Sequence, residues 1–112
     1  MVATVCVIDT LRSLANGSIS GTYAAVGTKF GHTVRLICFT NATDGDMLFT
    51  DDLSVDKLFI AANSFKLFDL TTNRENNSPI FVLPKNTQFY VKQSTAPTTG
   101  SVYIECIYGS GE

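Results

Sequence analysis

The chain has 112 residues, a length that favours a single domain over residues 1–112. Charged residues make up only 16% of it, against about 25% in a typical soluble domain, and the formal net charge is -2. This charge argues against nucleic-acid binding driven by phosphate neutralisation. No apolar run approaches the roughly 18 residues of a transmembrane helix, so we expect neither a nucleic acid nor a membrane as a partner.

The composition favours strands, because eight phenylalanines and four tyrosines accompany many threonines. In chain order, strands are predicted over residues 1–8, 22–26, 33–39, 47–50, 88–92 and 101–108, with either a short strand or a helical turn over 11–14 and short apolar runs over 59–60, 64–70 and 79–83. About eight short strands separated by turns every 8–12 residues are typical of a β-sandwich. We therefore predict an all-β, single-domain antiparallel β-sandwich, jelly-roll-like.

Two segments show the two-residue alternation that is typical of a strand. In the first, Val34, Leu36 and Cys38 are expected to point one way, and Arg35, Ile37 and Phe39 the other. In the second, Val102, Ile104, Cys106 and Tyr108 oppose Tyr103, Glu105 and Ile107. Residues 41–46 contain Asp-Gly, a strong turn signal, and the apolar residues 47–50 follow them. The first segment and residues 47–50 are therefore predicted to form a β-hairpin.

Three cysteines, Cys6, Cys38 and Cys106, lie far apart in apolar segments without a Cys-x-x-Cys pair. A disulfide framework favours an even count, and a zinc site needs closely spaced ligands. The N-terminal residues 1–6 lack the basic segment and apolar core of a secretory signal. We therefore expect buried thiols in a protein that folds in a reducing cytoplasm.

Catalysis has little support in the sequence. The only histidine is His32, and neither Gly-x-Ser-x-Gly nor a papain-type motif surrounds any serine or cysteine. The glycines of residues 27–31 are not followed by the Gly-Lys-Ser/Thr of a phosphate loop. We expect a non-enzymatic protein with no catalytic residue and no cofactor, and a small hydrolase using His32 or paired carboxylates stays the open alternative.

Five aspartates form the densest charge cluster: Asp44, Asp46, Asp51, Asp52 and Asp56. Carboxylates so spaced suit calcium, which takes six to eight oxygen ligands. The spacing of an EF-hand is absent, however, and aspartate is also an ordinary turn residue. Turn chemistry is the preferred interpretation, so no metal site is predicted. The Asn-x-Ser/Thr triplets at Asn16, Asn41 and Asn76 are interpreted in the same way.

The order of segments between residues 35 and 108 resembles that of a family of small tailed-bacteriophage virion proteins. The matching segments are Asn-Ala-Thr-Asp-Gly-Asp at 41–46, Phe-Asp-Leu-Thr-Thr-Asn at 68–73, Leu-Pro-Lys-Asn-Thr-Gln-Phe-Tyr-Val-Lys at 83–92 and Thr-Gly-Ser-Val-Tyr at 99–103. The pattern is most similar to the capsid decoration, or staple, proteins of epsilon-like short-tailed phages. One departure is Phe-Thr-Asp-Asp at residues 49–52, where the family often has an aromatic-Asp-Gly triplet.

This resemblance implies a structural virion protein on the outer capsid surface. Its partner would be the major capsid protein, and a staple across a local two-fold position would be a homodimer. An exposed first or last strand can pair with a partner strand, and we expect the N-terminal segment to contribute to that contact through Val2, Thr4, Val5 and Val7. The alternative is a receptor- or glycan-binding β-sandwich of the phage tail or fibre.

Overall fold

A computed structural model describes residues 5–32, 34–69 and 85–110, with residues 5, 6, 109 and 110 described by their backbone alone. The strands of these ranges are β1 (Val5–Ile8), β2 (Arg12–Ala15), β3 (Ala24–Ala25), β4 (Val34–Asn41), β5 (Met47–Thr50), β6 (Leu58–Ile60), β7 (Ser64–Asp69), β8 (Tyr90–Gln93) and β9 (Ser101–Ser110). A short 3₁₀ turn, Asn16–Ser18, follows β2. The short apolar run over residues 79–83 lies outside the described residues.

The strands form two antiparallel sheets. Sheet A has the order β1-β9-β4-β7, with β2 also paired to β9, and sheet B has the order β3-β8-β5-β6. Because β1 and β2 lie one after the other along the same edge of β9, they take the place of one strand. Each sheet then has four strand positions, and the strand order in the two sheets is that of a jelly roll. The predicted fold class is confirmed.

The core lies between the sheets and consists mainly of aromatic and β-branched side chains. Its residues are Ile19, Val26, Phe30, Val34, Ile37, Phe39, Met47, Phe49, Ile60, Phe89, Val91, Val102, Ile104 and Cys106. Phe39 is at its centre, with ring centroids 5.5 Å from Phe49 and 4.9 Å from Phe89. Such tilted and edge-on arrangements are favourable for aromatic pairs, and here they join the two sheets.

Two expectations about β4 were wrong. The segment does not form a hairpin with β5: β4 pairs with β7 and β9 in sheet A, whereas β5 pairs with β6 and β8 in sheet B. The turn at residues 41–46 therefore crosses from one sheet to the other. The register of β4 against β9 also shifts between Val34 and Leu36. This irregularity places Val34 in the core with Ile37 and Phe39, not on the face of Leu36.

The alternation predicted for β9 is confirmed over most of its length. Val102, Ile104 and Cys106 are buried in the core, whereas Glu105 is exposed. Strand β9 pairs with β1 and β2 on one side and with β4 on the other, so it is one of the two interior strands of sheet A. Its outward residues therefore lie in the middle of the outer face of that sheet.

Candidate docking surface

The outer face of sheet A carries a group of apolar side chains, which we call the docking face: Ile8, Leu36, Cys38, Phe65, Leu67 and Ile107. Ile8 is 79% exposed, Phe65 65% and Leu67 56%. These large side chains come from the two margins of the sheet, β1 and β7. A group of exposed apolar side chains of this kind is typical of an interaction site.

The strand registers arrange the docking face in rows. Ile8, Ile107 and Leu36 form one row across β1, β9 and β4, since Ile107 is the partner of both. In the next row Cys38 lies between Glu105 and Leu67. Neighbouring residues in a row have their Cβ atoms about 4.5–5.5 Å apart, so the side chains within each row lie side by side across the strands.

A shallow groove of about 190 Å³ opens on this face. Its lining consists of Ile8, Leu36, Cys38, Glu105, Cys106 and Ile107. Small-molecule sites typically enclose about 300–1,000 Å³, so the groove matches a protruding side chain of a partner better than a cofactor.

The edge of the docking face is protected against strand addition. In β7, Phe65 and Leu67 point outward, whereas Phe68 packs against Phe39 in the core, with ring centroids 6.0 Å apart. By alternation, Lys66 points toward the inner side of the edge strand. An inward-pointing charge is a common device against pairing with a further strand. The edge of β7 is therefore poorly suited to pairing with a further strand.

The predicted partner-binding residues lie mostly beyond what the structure describes. Val2 and Thr4 are outside the described residues, and Val5 is described by its backbone alone. Val7 is half-buried in β1, opposite Tyr108 of β9. Strand β1 also contributes Ile8 to the docking face, so this part of the face adjoins the N-terminal segment. Sequence reasoning missed Phe65 and Leu67.

The five aspartates do not form one cluster. Asp44 accepts hydrogen bonds from the amides of Thr98 and Thr99, at 2.7 and 3.2 Å, and from the Thr98 hydroxyl. Asp46 accepts the amide of Ala62 at 2.9 Å. These two carboxylates therefore hold neighbouring loops to the turn at residues 41–46.

The other three aspartates pair with lysines. Lys57 Nζ lies between Asp51 and Asp52, and Lys92 Nζ is 3.0 Å from Asp56 Oδ1. Over residues 5–32, 34–69 and 85–110, no three histidine, cysteine, aspartate or glutamate side chains are grouped so that they can hold a metal ion.

Asp44 makes the fold sensitive to acid. Hydrogen bonds from the Thr98 side chain and amide lower its pKa from 3.8 to about 2. A carboxyl group whose pKa is lower in the folded state stabilises the fold above its unfolded pKa, and this contribution is lost as the pH falls through the folded value.

The Asp44→Asn variant is expected to be less stable than the wild type at pH 6, with the difference shrinking between pH 4 and pH 2. Urea unfolding of both proteins at each pH measures this difference. Asp51→Asn serves as a control, because Asp51 is exposed and pairs with Lys57 alone. A difference for Asp44→Asn that stays constant with pH would contradict the assignment.

Tyr23 belongs to a polar group on the side of sheet B. Its hydroxyl donates to Asp56, and Lys92 Nζ lies 4.8 Å from the centroid of its ring. Burial and the Asp56 carboxylate raise the pKa of the Tyr23 phenol. The Lys92 ammonium thus occupies one face of the Tyr23 ring.

Among the side chains that the structure describes, His32, Cys38 and Cys106 do not assemble a nucleophilic site; the side chain of Cys6 lies outside them. The His32 ring stacks on Tyr108, with centroids 3.8 Å apart and planes at 5°. The Cys106 thiol is buried between Arg12 and Asp9, and burial together with the Asp9 charge raises its pKa to about 11. A nucleophilic cysteine needs the opposite shift.

The two described cysteines differ in accessibility. Cys106 is buried as predicted, whereas Cys38 is half-buried and lines the groove, so its expected burial was wrong. We expect iodoacetamide to alkylate Cys38 at least tenfold faster than Cys106 in the folded protein, because Cys106 is buried and its raised pKa disfavours the reactive thiolate. Peptide mass spectrometry of a time course measures the two rates. The unfolded protein, in which both thiols are accessible, is the control. Equal alkylation rates of Cys38 and Cys106 in the folded protein would contradict this difference in accessibility.

The three Asn-x-Ser/Thr triplets, interpreted from the sequence as turn chemistry, have different surroundings. Asn41 is completely buried, so it is unavailable to a modifying enzyme in the folded protein. Asn16 is half-buried, and its side chain donates to the Gly100 carbonyl at 2.9 Å. Asn76 lies outside the described residues. The structure therefore assigns structural roles to the first two residues.

Comparisons with protein-family models, with curated proteins and with solved structures found no match. In the part of the chain that the structure describes, no helix has the length and apolar character needed to cross a membrane. The fold and the docking face are therefore the observations that bear on function.

Proposed function

We propose that this chain is a non-catalytic binding subunit that docks onto another protein through the outer face of sheet A. The observation that carries this proposal is the exposure of Ile8, Phe65 and Leu67 on one face of a jelly roll. Fully burying a leucine or phenylalanine side chain contributes roughly 1.5–3 kcal/mol. Covering these three side chains therefore supplies a large part of the free energy of docking.

The partner we propose is the major capsid protein of a tailed phage, and the role is that of a decoration subunit that joins neighbouring capsomers. The support is the resemblance of segments 41–46, 68–73, 83–92 and 99–103 to the phage family. A subunit that contacts two capsomers makes its second contact at a high effective concentration, so modest interfaces suffice. Pairing of two copies at local two-fold positions, with the N-terminal segment at the contact, belongs to the same proposal.

Co-sedimentation with empty shells tests the proposal. The shells are assembled from the major capsid protein of the phage that is proposed to encode this chain. The double variant Phe65→Ser, Leu67→Ser is expected to bind at least tenfold more weakly than the wild type, because it removes most of the apolar area from one margin of the docking face.

The matched control is Phe59→Ser. Phe59 is 46% exposed and lies in β6, the edge strand of sheet B, so its loss is expected to leave binding unchanged. Equal binding by the wild type and the double variant would overturn the docking face. Failure of the wild type to bind any shell would overturn the capsid assignment.

A further inference from the structure

The groove on the docking face contains one acidic group among apolar neighbours. Glu105 is exposed in the middle of sheet A, and it is the register partner of Cys38. Ile8, Leu36, Cys106 and Ile107 complete the lining around it. A carboxylate in the middle of an apolar face is costly to cover unless the covering surface brings a compensating charge.

Glu105 makes no salt bridge or side-chain hydrogen bond with any of the residues that the structure describes. The other acidic residue of this face, Asp69, already has an interaction. Lys66, which follows Phe65 in β7, points to the other side of its strand. The docking face therefore presents apolar surface with an available negative charge.

We infer that the groove binds an aliphatic side chain of a protein partner that stands beside a lysine or arginine, and that this basic group pairs with Glu105. The volume of about 190 Å³ suits a single side chain. The negative charge disfavours a phosphate-bearing surface, whether of a nucleic acid or of an anionic membrane. The inference deepens the proposed function and rests on it for the identity of the partner.

A small probe tests the chemistry of the groove without the partner. The 3-methylbutylammonium ion combines a leucine-like branched chain with a cation, and 3-methylbutanol and 3-methylbutanoate provide the neutral and anionic forms of the same shape. Titration followed by amide NMR is expected to give saturable shifts at Leu36, Cys38 and Ile107. The ammonium ion is expected to bind about three- to fivefold more tightly than the alcohol, in keeping with an exposed ion pair, and the carboxylate is expected to bind most weakly.

The variant Glu105→Gln is expected to remove the preference for the ammonium ion while leaving the affinity for the alcohol unchanged. Asp52→Asn, in the loop after β5, is the matched control and is expected to keep the preference. Absence of saturable shifts in the groove, or equal affinity of the wild type for the ammonium ion and the alcohol, would overturn the inference.

Co-sedimentation with the shells separates this inference from the proposed function. Glu105→Gln is expected to weaken shell binding about three- to fivefold, and Glu105→Lys at least tenfold through repulsion of the basic group. If the wild type binds shells while Glu105→Lys binds equally well, the role of Glu105 fails and the proposed function stands. If the probe binds the groove while the wild type binds no shell, the capsid assignment fails and the groove chemistry stands.

Discussion

Replacing Asn41 with alanine is expected to lower the free energy of unfolding by about 3–5 kcal/mol. The Asn41 side chain is completely buried. Its Nδ2 donates to the carbonyl oxygens of Gly45, Ile60 and Ala61, at 2.8, 3.0 and 3.2 Å. Its Oδ1 accepts the amide and the hydroxyl of Thr43.

The expected loss of stability is large because alanine at position 41 would leave several buried polar groups without their hydrogen-bond partner. Each buried polar group that loses its partner costs about 1–3 kcal/mol, and the carbonyl oxygens belong to two different connections of the chain. Asn41 ends β4 in sheet A, Gly45 precedes β5 in sheet B, and Ile60 ends β6. The side chain therefore holds the crossover between the sheets together.

Urea unfolding measures the change in the free energy of unfolding. Asn16→Ala is the matched control, because the Asn16 side chain makes one exposed hydrogen bond, to the Gly100 carbonyl. Its expected loss is about 1 kcal/mol. If Asn41→Ala does not fold, Thr43→Val provides a milder test of the same network, with an expected loss of about 1–2 kcal/mol. A loss below about 1 kcal/mol for Asn41→Ala would contradict the structural role of this turn.

Replacing Arg12 with methionine is expected to cost about 2–4 kcal/mol. Arg12 is only 5% exposed, and its guanidinium lies 4.7 Å from the centroid of the Phe30 ring. Nε donates to the Thr28 carbonyl at 2.7 Å and Nη2 to the Lys29 carbonyl at 3.2 Å. The guanidinium thus fixes the loop that brings Phe30 into the core.

Arg12 also pairs with Asp9, since its Nη1 lies 3.3 Å from Asp9 Oδ2. Burial raises the pKa of Asp9, but the Thr10 amide and the Arg12 charge outweigh it and hold the pKa below its ordinary value. In Arg12→Met the pKa of Asp9 is therefore expected to rise, which NMR titration detects.

Thermal and urea unfolding measure the stability of this variant, with Lys29→Ala as the exposed control. Arg12→Lys is expected to recover only part of the loss, because an ammonium group lacks the planar fork that reaches several carbonyls at once. Full recovery by lysine would show that charge alone matters at this position and would contradict the geometric account.

The fold class was predictable from the sequence because its signals are local. Alternation in β9 identifies a strand with one buried face, and Asp-Gly identifies the turn before β5. The pairing of these strands depends on contacts distant in sequence, which is why residues 47–50 were wrongly assigned to a hairpin with β4. The bulge between Val34 and Leu36 likewise depends on the register of β4 against β9, so simple alternation gave the wrong face for Val34.

The docking face could not be predicted from the sequence for a related reason. In β7, apolar residues occur on both faces, with Phe65 and Leu67 on one and Phe68 on the other. Alternation alone does not show which face is covered by the second sheet. The position of Glu105 was predictable from the alternation of β9, whereas its apolar neighbours Leu36 and Ile8 come from other strands. Only the assembled sheet brings them together.

Quantitative mass spectrometry of gradient-purified virions tests the proposed function most directly. The quantity measured is the copy number of this chain relative to that of the major capsid protein of the same particles. A decoration subunit on the outer shell is predicted to be present at a copy number comparable with that of the capsid protein. Absence from the particles, or a few copies that separate with isolated tails, would contradict the proposal, and the second result would favour a receptor-binding module of the tail.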